Sequence, residues 1–181
     1  GLLTGRWLTQ SARSVVVLAS RSGALARSAT ANERMWMKEM CNSVAIVGCD
    51  VSEASHTRWL ASLVCGQPPT TGVWHAAGVL ADGLLSSHSA LTLLRVHAPK
   101  AVAGWTLRRA YEIAPLQTFM VFSSVAALFG SSGQANYSSA NASLDALAVK
   151  VRKRGRASVS VQWGAWADIG MAVRGVARDR M

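Results

Sequence analysis

Five short apolar runs, each closing on small or polar residues, alternate along this chain with longer stretches of helical period. The runs are 15–20 (VVVLAS), 44–50 (VAIVGCD), 72–78 (GVWHAAG), 118–124 (TFMVFSS) and 158–164 (SVSVQWG). They are almost unbroken rather than alternating, which is the pattern of strands covered on both faces. Amphipathic pieces at 2–12, within 24–40, and at 53–64, 87–111 and 134–154 separate them. Parallel strands need crossovers of that length, and such crossovers are right-handed. The pattern predicts an open, doubly wound, Rossmann-like α/β domain: a parallel sheet with helices on both faces.

In such a sheet, ligands sit beyond the carboxyl ends of the strands. Those ends are Ser20-Arg21-Ser22, Asp50-Val51, Ala76-Ala77-Gly78, Ser123-Ser124 and Trp163-Gly164, and they are expected to line one crevice. The helical stretch after the fourth run opens GQANYSSAN, so Tyr137 and Asn141, at i and i+4, share a face. Ser124 precedes Tyr137 by thirteen residues, across a Gly- and Ser-rich turn. A serine hydroxyl and a phenol both donate to a carbonyl oxygen, and a phenol also delivers a proton. A neighbouring ammonium favours the phenolate and lowers its pKa; Lys100, in the helical stretch before the fourth run, is placed to act so. Singly, each of these residues has an ordinary role in a capped strand, a packed ring or a wet surface. Together, at the strand ends of one crevice, they point to carbonyl chemistry.

Composition bounds the alternatives. A chain of 181 residues, 50% hydrophobic and only 15% charged, is one globular domain over 1–181 and not disordered. No apolar run approaches the ~18–20 residues of a membrane helix, and no signal peptide is apparent. Net charge is +10, but the basic residues are scattered and no nucleic-acid motif accompanies them. The densest group, Lys150, Arg152, Lys153, Arg154 and Arg156, reads as a cationic helix C-terminus. Cys41, Cys49 and Cys65 form no C-x-x-C pair and predict free thiols in a reducing, cytoplasmic setting, with no metal site.

Taken in order, LASRSG (18–23), CDVS (49–52), GVWHAAGVLADGLL (72–85), PKAVAGW (99–105), FSSVAALFGSSGQANYSSANASLDALA (122–148) and VQWGAWADIGMA (161–172) cover nearly the whole chain. They resemble the ketoreductase domains of polyketide synthases and animal-type fatty acid synthases, within the short-chain dehydrogenase/reductase superfamily. In the wider superfamily lysine follows tyrosine by four and asparagine comes from an earlier helix. The carrier-bound ketoreductases exchange the two, and Lys100 and Asn141 match that exchange. The resemblance implies that Tyr137 is the proton donor, that Ser124 hydrogen-bonds the substrate carbonyl, and that Lys100 and Asn141 tune the tyrosine and support a proton relay. It implies NADPH as cofactor, with Gly1, Arg21, Ser22, Asp50, Val51, Ala76, Ala77 and Gly78 as contacts; Arg21 suits a 2′-phosphate. The implied partners are an acyl carrier protein bearing a β-ketoacyl chain and the other domains of a synthase, with no nucleic acid and no membrane. Arg108 and Arg109 are expected to help dock the acidic carrier.

Stereocontrol is read at two places. The family's Leu-Asp-Asp marks one facial class, the B type, and here Leu80-Ala81-Asp82 keeps only the last aspartate. A tryptophan eight residues before the tyrosine marks the A type, and Phe129 stands there instead. The pattern leans to B type and a D-configured hydroxyl. Trp163 and Trp166 fall in the segment leading to a lid near Gly170 and Met171, with Trp163 expected to pack more than to touch substrate. The family's first strand and most of its glycine-rich loop have no counterpart, Gly1-Leu2-Leu3 resembling the loop's tail, so the chain is expected to be a piece of a longer synthase. Two other readings stay open: a freestanding reductase of small carbonyl compounds, and a non-catalytic structural remnant of a synthase.

Overall fold

The computed structural model describes residues 1–12, 15–26, 29–64 and 70–164. Its elements run α1 (Leu2–Ala12), β1 (Val16–Ser20), α2 (Ala31–Glu39), β2 (Val44–Gly48), α3 (Ala54–Val64), β3 (Gly72–His75), α4 (Ala90–His97), α5 (Ala103–Ala110), β4 (Thr118–Ser124), α6 (Ala126–Phe129), α7 (Ala135–Lys153) and β5 (Val159–Trp163). Every strand pairing is parallel, as the strand–helix alternation requires.

The strands form two ladders, not one. β1 pairs with β2 from Val16↔Val44 to Ser20↔Gly48. β4 lies between β3 and β5, in register from Gly72↔Thr118 on one side to Ser124↔Trp163 on the other. Among the described residues β1 and β3 therefore each keep one edge unpaired. The break separates β1 and β2 from β3, β4 and β5. Helices bridge it: the Thr106 hydroxyl on α5 donates to the Val51 carbonyl beyond β2 at 2.6 Å. Ala61 of α3 joins Leu107 of α5 in one apolar cluster. The start of α1 meets the end of β3, where a Cβ on Gly1 would stand 3.8 Å from that of Ala76.

The core lies under α5 and α7. Phe119, Val121 and Ser123 lie at alternate positions of β4 and are buried, the first two with Leu144 and Leu147 of α7 and Leu107 of α5, and Ser123 donating to the Asn141 carbonyl at 3.3 Å. Each large apolar side chain removed from water there contributes ~1.5–3 kcal/mol. The opposite face of β4 is covered less: Met120, Phe122 and Ser124 are only half-buried, and Phe122 packs on Trp163 at 5.5 Å between ring centroids. Gly23, in the turn after β1, has φ +64°, and a Cβ there would come within 3.0 Å of the Gly48 nitrogen. Glycine is what lets that turn lie on β2.

The stretch 87–111 is not one regular helix. A capping box of Ser89 and Thr92 opens α4, and a π turn at Ala98–Val102 separates it from α5. Pro99 lacks an N–H and cannot complete the α-helical ladder, which accounts for the change of pitch. Lys100 rides on that turn. Helix α7 ends on basic residues and Gly155, with φ +72°, so the basic group does sit at a helix C-terminus. No helix among the described residues is long and apolar enough to cross a membrane.

Candidate active site

The chemistry-bearing residues gather where β4 ends and α7 begins. Ser124 is the last residue of β4, and its Oγ accepts from the Ala126 N–H at 3.2 Å. The chain turns through residues 130–134 and enters α7. Asn136, fully buried, fastens that entry: its Nδ2 donates to the Ala81 carbonyl at 2.7 Å and its Oδ1 accepts the Tyr137 N–H at 2.7 Å. The Gly83 N–H reaches the Gly133 carbonyl at 2.8 Å, and Gln134 donates to both Asp82 oxygens at 3.2 Å. The loop after Gly78 is thereby held against the start of α7. Val79, Leu80 and Ala81 pack on the buried set Val96, Ala126, Tyr137 and Ala140.

One turn further, Asn141 is completely buried. Its Nδ2 donates to the Tyr137 carbonyl at 2.8 Å, and its Oδ1 is a buried acceptor with no partner among the described residues. Lys100 is 3% exposed. Its Nζ donates to the Phe122 carbonyl at 3.0 Å and lies 5.2 Å from the centroid of the Tyr137 ring. The structure thus brings Tyr137, Ser124, Asn141 and Lys100 together.

The electrostatics correct one expectation. Burial raises the Tyr137 phenol above its ordinary value; the Asn141 and Ser124 side chains hydrogen-bond it and pull the other way, and the Asp82 carboxylate adds to the rise. The lowering expected from Lys100 does not prevail. Its ammonium lies against the ring and is spent on a strand carbonyl, and burial outweighs what helps the phenolate. Lys100 itself is pulled down to about 8 by burial, opposed by Asp145.

That shift makes a stability prediction. At neutral pH Lys100 is cationic folded and unfolded, and a fall from 10.5 to about 8 costs the folded state roughly 3 kcal/mol. Lys100→Met keeps the shape and loses the charge and one hydrogen bond of ~1–2 kcal/mol. The variant is expected to be more stable than wild type by ~1–2 kcal/mol in urea at neutral pH. As pH rises from about 8 to 10.5 the folded wild type loses its proton first and recovers stability, so the advantage should vanish. Equal midpoints at neutral pH would contradict the buried charge.

The residues expected at a cofactor fall into two groups, one for each ladder. Arg21 and Ser22 are exposed beyond β1. The Arg21 charge helps hold Asp50 below the usual carboxylate range, though Ser52 does most of that work, donating its hydroxyl at 2.6 Å and its N–H at 3.0 Å. The Val51 carbonyl is taken by Thr106. Ala76, Ala77 and Gly78 continue beyond β3 without strand pairing, half-buried, beside Gly1. Phe129 ends α6 and is 85% exposed. Trp163 tilts 58° against Phe122, and its carbonyl accepts the Val125 N–H at 3.0 Å, so it packs the end of β5. Trp166, Gly170, Met171 and Cys65 lie outside the described residues.

Arg108 and Arg109 are placed differently from their expected role. They close α5, which delivers the chain to the start of β4, the end opposite Ser124. Arg108 donates to the Tyr111 carbonyl at 3.1 Å and shares a cavity wall with Leu116, Phe119 and Arg156. β4 spans ~20 Å, so a carrier docked on these arginines would present its arm at the wrong rim.

Two residues were passed over at the sequence level. His75, the first letter of the HAAG run, is buried with Nε2 3.0 Å from the Lys100 carbonyl. Asp145, one turn beyond Asn141, accepts from Ser160 and, at 2.9 Å, from Gln162, tying α7 to β5. Its i, i+4, i+8 spacing with Tyr137 and Asn141 was the available signal.

The fold is Rossmann-like, and the resemblance read from the motifs can be set against known proteins. A family model described as the KR domain matches residues 1–168. The polyketide synthase GfsA of Streptomyces halstedii is 40% identical over 176 residues, which is 97% of this chain and 2% of that protein. The ketoreductase of the first module of phoslactomycin biosynthesis from a Streptomyces superposes with TM-score 0.85 at 31% identity, over 94% of this chain and 40% of that one. An A-type ketoreductase from a modular polyketide synthase gives 0.84 at 36%, over 97% and 38%. The chain belongs to the ketoreductase domain family of polyketide synthases.

Proposed function

We propose that this chain reduces a β-ketoacyl thioester, carried on an acyl carrier protein of a larger synthase, to the β-hydroxyacyl thioester, using NADPH. The observation that carries the reading is the convergence of Tyr137, Ser124, Asn141 and Lys100 at the rim of β4. Bound NADPH supplies the hydride. Gly1, just before α1, faces only the small Ala76 side chain, 3.8 Å from where a Cβ would stand, and a helix start beside small residues suits a pyrophosphate.

The rest is done by this chain's own side chains. A phenol held above its ordinary pKa keeps its proton at neutral pH and gives it to an oxygen that is becoming an alkoxide. Ser124 Oγ donates to that same oxygen and orients the carbonyl. As the phenolate forms, the Lys100 ammonium beside the ring stabilises it, and the Asn141 Oδ1, which has no partner among the described residues, accepts from a water that returns the proton. Asp82, fixed by Gln134 on the Tyr137 side, supports the B-type, D-configured product, and the exposed Phe129 does not close that side as a buried tryptophan would. The setting proposed is cytoplasmic.

The test is NADPH consumption by the intact synthase carrying this chain, with a β-ketoacyl thioester of pantetheine; no consumption would refute the reading. Arg21→Ala is expected to raise KM for NADPH ~10-fold and leave KM for NADH unchanged, since a guanidinium on a 2′-phosphate is worth one charge-assisted contact. Equal effects on both cofactors would remove Arg21 from that role.

A further inference from the structure

His75 has no part in the chemistry just described, yet it is 3% exposed and aimed at Lys100. Its Nε2 lies 3.0 Å from the Lys100 carbonyl oxygen. A carbonyl only accepts, so that nitrogen carries the proton and the ring's tautomer is set. The bond crosses from the last residue of β3 to the π turn, where the backbone departs from α-helical pitch. Its location is matched to the other end of the lysine. His75 pairs in register with Val121, and the next residue of β4, Phe122, gives its carbonyl to Lys100 Nζ at 3.0 Å. Lys100 is therefore held at both ends: its backbone carbonyl accepts from His75 of β3, and its ammonium donates to the Phe122 carbonyl of β4. Gly104 lets α5 come close enough to confine the ring: a Cβ there would stand 3.7 Å from His75 Cδ2.

We propose that His75 is a positioning residue whose neutral Nε2–H pins the π turn and so fixes the Lys100 ammonium beside the Tyr137 ring. The inference rests on the reductase reading for its kinetic consequence, not for its geometry. Burial, opposed by the hydrogen bond to the Lys100 carbonyl and helped by the Lys100 charge, takes His75 down to about 4, so the donor persists through the neutral range. The charged and titratable groups around Lys100 are His75 from β3 and Tyr137 and Asp145 from α7.

The test compares His75→Leu with His75→Gln in the intact synthase. Leucine fills space without a donor; the glutamine Nε2 stands in for the ring's. With His75→Leu, kcat should fall ~10–100-fold, the cost of a misplaced group, with KM for the thioester changed by less than ~2-fold. The alkaline limb, expected in wild type where Lys100 loses its proton near pH 8, should move upward as the freed ammonium finds water. Hydrogen exchange should quicken in peptides covering 98–104. His75→Gln should restore all three toward wild type. Wild-type exchange and an unmoved limb in His75→Leu would overturn the proposal, and so would equal damage from both substitutions. If the wild type reduces no β-ketothioester, the reductase reading falls, and the exchange comparison alone still decides for or against His75.

Discussion

Tyr137→Phe should cut kcat for β-ketothioester reduction by ~10³-fold or more while leaving KM for the thioester within ~2-fold. A positioned acid contributes ~10²–10⁴ to a proton-transfer step, and this phenol is the acid that the proposed reaction uses at the rim. Phenylalanine keeps the ring among Val96, Ala126 and Ala140 and against the Lys100 ammonium. The backbone links through the Asn136 Oδ1 and Asn141 Nδ2 are untouched. Ser124 retains its bond to the Ala126 N–H and can still orient the substrate. The loss should therefore be confined to kcat, with the urea midpoint moved by less than ~0.5 kcal/mol. Turnover within tenfold of wild type would mean that another group supplies the proton. Lys100, already near 8, would be the first to examine.

What was legible in the sequence is what local pattern encodes. The run TFMVFSS has the bounds of β4 because one strand in mid-ladder is apolar from end to end. Tyr137 and Asn141 were readable as a pair because helical spacing alone puts them on one face. The illegible parts all depend on contacts far apart in sequence. The π turn hides in 87–111 because a one-residue change of pitch barely disturbs the apolar period. His75 reads as a buried strand residue until the turn 25 positions later is laid over it. Asp145 has no evident role until Ser160 and Gln162 arrive on β5. The sign of the Tyr137 shift was misjudged for the same reason: residue types name the neighbours, but only packing decides whether burial or charge prevails. For Arg108 and Arg109, composition gives the charge, and only topology says which end of the sheet carries it.

Gly104→Val should destabilise the fold by ~3 kcal/mol, the largest effect on stability expected of a single change here. Gly104 is buried in the first turn of α5, where α5 passes over α7. A Cβ at that position would stand 2.7 Å from Leu144 Cδ2 and 3.2 Å from Leu147 Cδ2. Those are ends of side chains, but both leucines are completely buried in the main cluster and have no free space to turn into. By helix propensity alone valine is a few tenths of a kcal/mol better than glycine, so the backbone gain is small. Overpacking of a tight core costs ~1–3 kcal/mol or more, and valine adds two methyl groups beyond the Cβ already in contact. The thermal midpoint should drop by ~6–12 °C for a chain of this size. Gly104→Ala, with a Cβ alone and the better helix former, should lose no more than ~1 kcal/mol. The urea slope should stay constant in both, since the surface exposed on unfolding barely changes. The same displacement presses on His75 from one side and on Leu144, three residues after Asn141, from the other, so reductase activity should fall further than the folded fraction does. A Gly104→Val protein with wild-type stability would mean that α5 and α7 do not approach as closely as this packing requires, and the placement of Lys100 beside Tyr137 would lose its support.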